Sequence, residues 1–255
     1  MTRLTWLGHS TVLLESAGSV ILTDPVLRGR IGPIRRASAI APVDLGAVDT
    51  VLISHLHQDH LDLPSLRLLR PDLRLIVPFG SADRLRAEGY TDVSELKVGD
   101  SVQAGAATIR AVRAVHDGRR RPFGPARPAL GYRIDAEHAT YFAGDTDLYP
   151  EMALLAGGLD LALLPVGGWG PTLRGGHMDP LKAARALALL QPQLAVAIHW
   201  GTFWPIGMGR IRRSRFELPA RQFGDEAARL APLVRIGVLD PGGWLDLPSA
   251  MVRPP

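Results

Sequence analysis

The chain has 255 residues, of which 46% are hydrophobic and 21% charged, and its net charge is a mild +4. This length is enough for a substantial core, and no linker-like stretch divides the sequence, so we predict one α/β domain over residues 1–255. The absence of cysteine excludes a disulfide framework, a cysteine-ligated zinc site and a thiol nucleophile. The sequence shows neither a signal-peptide core nor a run of about 18 apolar residues, and we expect a cytoplasmic protein.

The first predicted elements are three short strands. Residues 4–15 read as two strands around a turn at His9, and the apolar run 20–23 ends at Asp24. Residues 28–42 carry glycines, prolines and four arginines without a clear period, so we predict a long loop there. Two interpretations of these arginines stay open, namely attraction of an anionic substrate and a solvated basic face.

A dense group of histidines follows the next apolar run, residues 50–53. It has the pattern His-x-His-x-Asp-His, formed by His55, His57, Asp59 and His60. Side chains two positions apart on a strand point to the same face, so His55 and His57 can converge on one ion. Asp59 and His60 come after the turn and can reach a second, adjacent ion. Imidazole and carboxylate groups suit zinc, and a surface loop that carries three histidines by chance is the weaker alternative.

Further candidate ligands come directly after predicted strands. His116 follows the alternating pattern of residues 107–115, Asp145 follows the run 140–143, and His199 closes the run 194–198. Ligands in such positions can meet at one edge of a sheet. The remaining pattern predicts strands at 73–78, 130–134, 159–166 and 233–239, and helices at 64–69, 81–88, 181–190 and 219–231, with Ser81 as a helix cap and His138 in an exposed turn.

Taken together, these motifs resemble the metallo-β-lactamase superfamily over nearly the whole chain. The resemblance implies a four-layer αβ/βα sandwich with a dinuclear metal site along one sheet edge. The N-terminal Trp-x-Gly-His-Ser-Thr and the following Asp-Pro are similar to one branch, which holds bacterial ascorbate-6-phosphate lactonase and N-acylphosphatidylethanolamine phospholipase D. In that branch His9 and Asp24 would support the ligands from outside. For His9, simple hydrogen bonding within its turn is an equal alternative.

The resemblance also implies a ligand set and a mechanism. His55, His57 and His116 would hold the first ion, Asp59, His60 and His199 the second, and Asp145 would bridge them. Zinc is the expected metal, with manganese or iron as alternatives. The implied nucleophile is a hydroxide shared by both ions, which Asp59 would orient. His177, in a Gly-Gly-His-Met-Asp-Pro sequence, would face the substrate and polarise it or protonate the leaving group, unless it caps or packs against the next helix.

Basic residues beside His116 suggest the substrate. Arg119, Arg120, Arg121 and Arg127 lie within a few residues of it, and guanidinium groups bind phosphate oxygens in pairs. We therefore expect a small anionic substrate, in first place a phosphodiester or another phosphorylated small molecule or lipid. A phosphorylated sugar lactone is the alternative within the hydrolases, and a solvated basic loop is the alternative for the arginines.

Other partners and other chemistry are less favoured. Aromatic and basic residues do not interleave as a nucleic-acid stacking platform needs. Residues 204–216 mix apolar side chains with arginines and would form a lid, a subunit contact, a membrane-surface patch or a plain mobile loop. Self-association into a homo-oligomer is a further expectation. Iron-dependent oxidoreductases of the superfamily usually have glutamate where this chain has His57, which argues against that class. A relative that only binds a ligand typically loses metal ligands, whereas all seven positions are filled here.

Overall fold

The computed structural model describes residues 1–120, 124–169, 173, 175–208 and 213–249 of the chain. In this part the strands form two seven-stranded sheets and one three-stranded sheet. The first sheet has the order β17-β1-β2-β3-β6-β7-β8, with bounds Trp244–Leu247, Thr2–Gly8, Thr11–Ser16, Ser19–Thr23, Thr50–Leu52, Arg74–Pro78 and Val93–Leu96. The second has the order β16-β14-β13-β12-β11-β10-β9, with bounds Arg235–Gly237, Leu194–Ile198, Leu161–Pro165, Ala139–Phe142, Leu130–Asp135, Ala107–Arg113 and Ser101–Ala104.

The third sheet and the helices complete the architecture. The small sheet has the order β15-β5-β4, with bounds Phe203–Pro205, Ile34–Arg36 and Arg30–Ile31. The α-helices are α1 Leu63–Leu66, α2 Ala82–Arg86, α3 Pro180–Leu190 and α4 Arg213–Leu230, and short 3₁₀ helices span Leu45–Ala47 and Pro150–Leu155. In the described ranges no helix is both long and apolar enough to cross a membrane.

Strand periodicity divides the core into layers. Val12 and Leu14 of β2 belong to the core between the two large sheets, whereas Leu13 belongs to the core on the outer face of the first sheet. This follows because successive strand residues point to opposite faces. Leu187 of α3 and Phe223 of α4 pack on the second sheet in the larger core. The result is two sheets packed face to face with helices outside each, which confirms the predicted α/β sandwich.

The parallel strands position the candidate site. In the first sheet, β3, β6 and β7 run parallel, and in the second sheet β12, β13 and β14 do so. Ligands of open α/β sheets bind outside the carboxyl ends of such strands. Asp24 directly follows β3, and the His55–His60 motif, Asp145 and His199 follow β6, β12 and β14 respectively. The sheet topology therefore brings these side chains to one edge of the sandwich.

Several local predictions were wrong. Residues 28–42 are not a structureless loop, because β4 and β5 form a hairpin that pairs with β15. Ser81 makes no capping hydrogen bond, and the amide of Ala82 donates to Glu95 Oε1 at 2.6 Å instead. His138 is buried rather than exposed, since its ring lies between Thr2 Oγ1 and the carbonyl oxygen of Pro248 at 2.7 and 2.9 Å.

Candidate metal centre

One half of the site consists of imidazoles alone. His55 Nε2 lies 2.9 Å from His57 Nδ1, and His116 Nε2 lies 3.2 Å from the same His57 atom. His116 is held from outside because its Nδ1 lies 2.8 Å from the carbonyl oxygen of Gly176. A carbonyl oxygen only accepts, so His116 Nδ1 carries the proton and its Nε2 lone pair faces the centre. We call His55, His57 and His116 the imidazole set.

The other half combines imidazoles with a carboxylate. His9, Asp59, His60 and His199 each offer a ligand atom within 4.8 Å of the others, and we call them the carboxylate set. His60 Nδ1 lies 2.7 Å from Asp24 Oδ2, and His199 Nδ1 lies 2.8 Å from the carbonyl oxygen of Gly167. These outer partners orient both rings with Nε2 toward the centre, as the partners of metal-bound histidines commonly do.

Asp145 lies where the two halves meet. Its Oδ2 is 3.2 Å from His60 Nε2 and 3.3 Å from His177 Nε2, and its Oδ1 is 3.2 Å from His199 Nε2. Asp145 also shares with His116 and His177 a group of atoms close enough to hold one ion. The carboxylate is 2% exposed, so its charge is shielded from solvent. Its position between the sets is the one that a bridging ligand needs.

Unpaired lone pairs show that a cation fits this site. Because His199 Nδ1 donates to Gly167, the Nε2 of the neutral ring carries a lone pair. That atom faces Asp145 Oδ1, also an acceptor, at 3.2 Å, and both are buried without a hydrogen bond in the described part of the chain. Two buried acceptors so close repel each other unless a positive charge lies between them. Nitrogen and oxygen donors in this number suit zinc or a similar divalent ion.

The protonation states differ between the halves. Burial lowers the pKa of His55, His57 and His116, and it lowers the pKa of His199 to about 3, so these rings are neutral. Burial acts in the same direction on His60, but the carboxylates of Asp145, Asp24 and Asp59 outweigh it and raise its pKa well above the usual value. In the metal-free protein, His60 is thus the imidazolium that balances the surrounding acids.

The pKa of Asp145 illustrates the same balance. Burial alone would raise it, but the positive charge of His60, together with hydrogen bonds from His177 and His60, holds it well below the usual range. Burial likewise opposes ionisation of Asp59, and His60 and His9 outweigh it and lower the pKa of that carboxyl group. Both carboxylates are therefore ionised at neutral pH and available to a cation.

Backbone strain is concentrated at this edge of the sheets. His9, Asp24 and His199 have φ angles of 53°, 34° and 62°, a region that side chains larger than glycine rarely adopt. The amide of His199 donates to the carbonyl oxygen of His9 at 2.8 Å, which locks the two turns together. Such strain persists where the surrounding structure enforces it, typically at functional sites. Gly144 has a related role, because a Cβ there would lie 2.6 Å from Ser54 Cβ.

The two predicted supporting residues contact ligands on different sides. His9 Nε2 lies 3.0 Å from Asp59 Oδ2, and its ring packs against His199 with centroids 3.9 Å apart. Asp24 accepts from the amide of Ser54 at 2.7 Å as well as from His60. As a member of the carboxylate set, His9 is also close enough to Asp59, His60 and His199 to be a ligand itself, an option that its place in a turn far upstream did not suggest.

The arginines after His116 have separate surroundings. Arg119 forms an exposed ion pair with Asp117. Arg120 donates to the carbonyl oxygens of Leu56 and Leu61 at 2.9 and 2.8 Å, and so contacts the loop of the histidine motif. Arg127 lies against Gly80, where a Cβ would be 3.2 Å from its Cζ atom. Arg121 lies outside the described residues. The three described arginines have different partners, and the role of all four toward a substrate stays a prediction.

Two other segments border the site. His177 is 20% exposed at the solvent side of Asp145, and the cap of α3 is Asp179, whose side chain accepts from the amide of Lys182. Phe203 and Trp204 are buried in β15, whereas Ile206 is 52% exposed and residues 209–212 lie outside the described range. The role of residues 204–216 stays a prediction. Trp169, to which the sequence pattern assigned no role, donates from Nε1 to Asp59 Oδ2 at 3.1 Å.

Comparisons with known proteins agree with this geometry. A family model described as "Beta-lactamase superfamily domain" matches residues 20–200. A metal-dependent hydrolase of Methanopyrus kandleri is 30% identical over 247 residues, which cover 94% of this chain and 97% of that protein. The N-acyl-phosphatidylethanolamine-hydrolyzing phospholipase D 1 of Caenorhabditis elegans is 32% identical over 230 residues, covering 80% of this chain and 64% of that protein. Relatives from Mycobacterium tuberculosis and Mycobacterium bovis are 34% identical over 218 residues, 78% of this chain, and the chain spans 59% of their length.

Solved structures share the fold. A metallo hydrolase from the archaeon Ignicoccus hospitalis superposes with a TM-score of 0.73 at 23% identity, covering 96% of this chain and 97% of that one. The diiron β-hydroxylase CmlA from Streptomyces venezuelae gives 0.71 at 20% identity, covering 96% of this chain and 54% of that one. These low identities speak for the fold alone. The matching family model and the full-length M. kandleri relative show that this chain belongs to the metallo-β-lactamase superfamily.

Proposed function

We propose that the chain is a metal-dependent hydrolase that uses two divalent ions to cleave a phosphoester bond in a small molecule or lipid. The observation that carries the proposal is the pair of buried acceptors, His199 Nε2 and Asp145 Oδ1, which face each other at 3.2 Å and need a cation between them. The name of the M. kandleri relative, a metal-dependent hydrolase, supports the reaction class.

The ligand assignment follows the two sets. His55, His57 and His116 would hold one ion, Asp59, His60 and His199 the other, and Asp145 would contact both. Ions bound there would supply an acidified water molecule as nucleophile and a positive charge opposite the oxygen of the scissile group. Zinc is our first choice, because neutral imidazoles and carboxylates are the donors in the site and no thiolate is available.

The protein's own groups orient the reaction. Asp59 Oδ2 lies 3.0 Å from His9 Nε2 and accepts from Trp169 Nε1 at 3.1 Å, so the carboxylate is held from two sides. His177 reaches the centre from the solvent side, with Nε2 3.3 Å from Asp145 Oδ2. A ring in this position can give its Nε2 proton to a departing oxygen, and imidazole has a suitable pKa for that transfer.

The substrate is the less constrained part of the proposal. A phosphodiester is supported by similarity to the C. elegans protein named as a hydrolysing phospholipase D. Arg119 lies two residues after Asp117 and is close in sequence to His116. Its exposed guanidinium would give a phosphate oxygen bound near His116 a cationic neighbour. A phosphorylated lactone would be opened by the same attack of water and is the alternative substrate. An assay with both substrate types distinguishes it from a phosphodiester.

The test combines metal analysis and turnover in one preparation. The purified protein is assayed for zinc, manganese and iron, and then for hydrolysis of bis-p-nitrophenyl phosphate and of a panel of lactones. We expect close to two zinc or manganese ions per chain and turnover of the phosphodiester. Turnover confined to lactones would replace the substrate, and iron with oxygen consumption but no hydrolysis would replace the reaction class.

A further inference from the structure

Trp169 has an unusual combination of contacts. Its indole Nε1 donates to Asp59 Oδ2 at 3.1 Å, while 38% of the residue is exposed to solvent. Asp59 is separated from it by 110 positions and belongs to the carboxylate set. Tryptophan combines a large apolar ring with one N–H donor, which is why it is enriched at interfaces. Here the same side chain touches the candidate metal centre and the solvent.

Other exposed apolar side chains lie around the loop that carries Trp169. Leu173 is 38% exposed, and its Cδ2 atom would lie 3.0 Å from a Cβ at Gly168. The same Cβ position is 3.8 Å from His199 Cε1, so Leu173 and the His199 ring both lie near Gly168. Leu218 is 42% exposed. It precedes Pro219, whose ring lies beside Gly167, since a Cβ added to that glycine would be 3.5 Å from Pro219 Cβ.

The opposite side of the centre is polar. His57 and His116 of the imidazole set are only partly buried, and the segment after His116 presents the exposed ion pair of Asp117 and Arg119. The approach to the metal centre is thus divided. Among the described residues, apolar side chains lie outside the carboxylate set, and charged side chains lie outside the imidazole set.

We propose that Trp169 is a positioning and specificity residue, whose N–H group fixes Asp59 while its ring, together with Leu173, binds an apolar group of the substrate beside the scissile bond. The substrate class is then an ester that carries an alkyl or acyl chain on one side and an anionic or polar group on the other. This inference rests on the proposed hydrolase function, which it deepens.

The two roles of Trp169 make separate predictions. W169F keeps an apolar ring and removes the N–H donor, whereas L173A keeps the donor and removes part of the apolar wall. Loss of a group that orients a metal ligand typically costs about 10–100-fold in metal affinity or activity. Each substrate methylene buried against the apolar wall, meaning the side chains of Trp169 and Leu173, should raise affinity roughly two- to fourfold, and less where these side chains stay half exposed. W244F is the matched control, because Trp244 is 57% exposed on β17 and contacts Arg3 instead of the site.

The experiment measures binding and turnover with one chain-length series. Zinc-loaded wild type, W169F, L173A and W244F are titrated calorimetrically with n-alkylphosphonates from methyl to octyl, which are not hydrolysed. The same proteins are assayed with alkyl p-nitrophenyl phosphates, and zinc loss to a competing chelator is followed. In wild type and W244F we expect affinity to rise about twofold or more per methylene. In L173A the rise flattens. In W169F it persists, while kcat falls and zinc is lost at least about tenfold faster.

Each outcome bears on one part of the inference. No dependence on chain length in wild type would overturn the apolar wall. A W169F variant with wild-type kcat and zinc retention would overturn the positioning role. If wild type binds longer phosphonates more tightly but hydrolyses none of the esters, the proposed function fails while the wall is supported.

Discussion

The two halves of the metal centre are built from different chemistry. The imidazole set has three neutral rings and no carboxylate of its own, and two of its rings are partly exposed. The carboxylate set is almost entirely buried, and Asp24, Asp59 and Asp145 all raise the pKa of His60. An ion bound in the first half would meet neutral rings with available lone pairs. An ion bound in the second half would have to displace the proton of His60, and it would gain the attraction of the Asp59 and Asp145 carboxylates.

This contrast indicates how the protein keeps a highly charged edge folded without bound ions. The ionised carboxylates of Asp59 and Asp145 would repel each other in a buried space, and the His60 imidazolium offsets part of that repulsion. The imidazole set needs no such counter-charge because its members are neutral. Asp145 belongs to both arrangements, since it contacts His60 and His199 and shares a site with His116 and His177.

The largest effect is expected from Asp145→Asn, because this change removes the charge shared by both halves. We expect zinc content to fall from close to two ions toward one or none, and activity to fall by more than the roughly 100-fold that loss of an outer partner costs. Metal analysis and phosphodiester turnover measure both quantities. Asp62→Asn is the matched control, because Asp62 is equally buried but caps α1 and pairs with Arg28. Wild-type turnover in the Asp145 variant would contradict the assignment.

Asp24→Asn should affect one half only. Asp24 orients His60, whose Nδ1 atom lies 2.7 Å from Asp24 Oδ2. Its hydrogen-bonded link to the imidazole set runs through the hydroxyl of Ser54, which contacts His55. We expect about 10–100-fold weaker binding of one of the two ions and little change for the other. A zinc titration against a chromophoric chelator resolves the two affinities. Equal weakening of both ions would show that the halves are not independent.

The metal-free protein should respond to pH with opposite slopes from the two halves. The folded-state pKa values of His55, His57 and His116 are lowered, so below about pH 6.5 the unfolded chain binds more protons and stability falls as pH falls. The folded-state pKa of His60 is raised, so its contribution is full below about pH 6.5 and is lost as pH rises through the raised value. Each proton changes the free energy of unfolding by at most about 1.4 kcal/mol per pH unit.

Urea unfolding of chelator-treated protein at several pH values tests this expectation. His60→Gln should reduce the fall in stability on the alkaline side, and His116→Gln should reduce the fall on the acid side. Zinc-loaded wild type should lose the alkaline dependence, since a bound ion takes the place of the proton. An alkaline slope that is unchanged in His60→Gln would rule out His60 as its source.

The convergence of these side chains was predictable because the candidate ligands follow strands whose pattern is visible in the sequence. His116, Asp145 and His199 each come after an apolar run, and parallel topology carries such positions to one sheet edge. Contacts between distant segments left no comparable signal. Trp169 reaches Asp59 across 110 positions, and β17 pairs with β1 at the other end of the chain, although neither segment has a distinctive motif. The burial of His138 depends on the same meeting of the two chain ends.

The smallest effects are expected in the basic segment after His116. Two neighbouring arginines differ there, because one contacts the loop of the histidine motif and the other is exposed. Arg120 donates to the carbonyl oxygens of Leu56 and Leu61, and Arg120→Ala should lower the free energy of unfolding by about 2 kcal/mol and weaken zinc binding through the loop that carries His57. Arg119 is in an exposed ion pair, so Arg119→Ala should leave the thermal midpoint unchanged and raise KM for an anionic ester a few-fold at low salt. Thermal unfolding and KM measured at two salt concentrations separate these roles. If Arg119→Ala leaves KM unchanged at low salt, the charged side of the approach does not bind the substrate, and recognition rests on the apolar side alone.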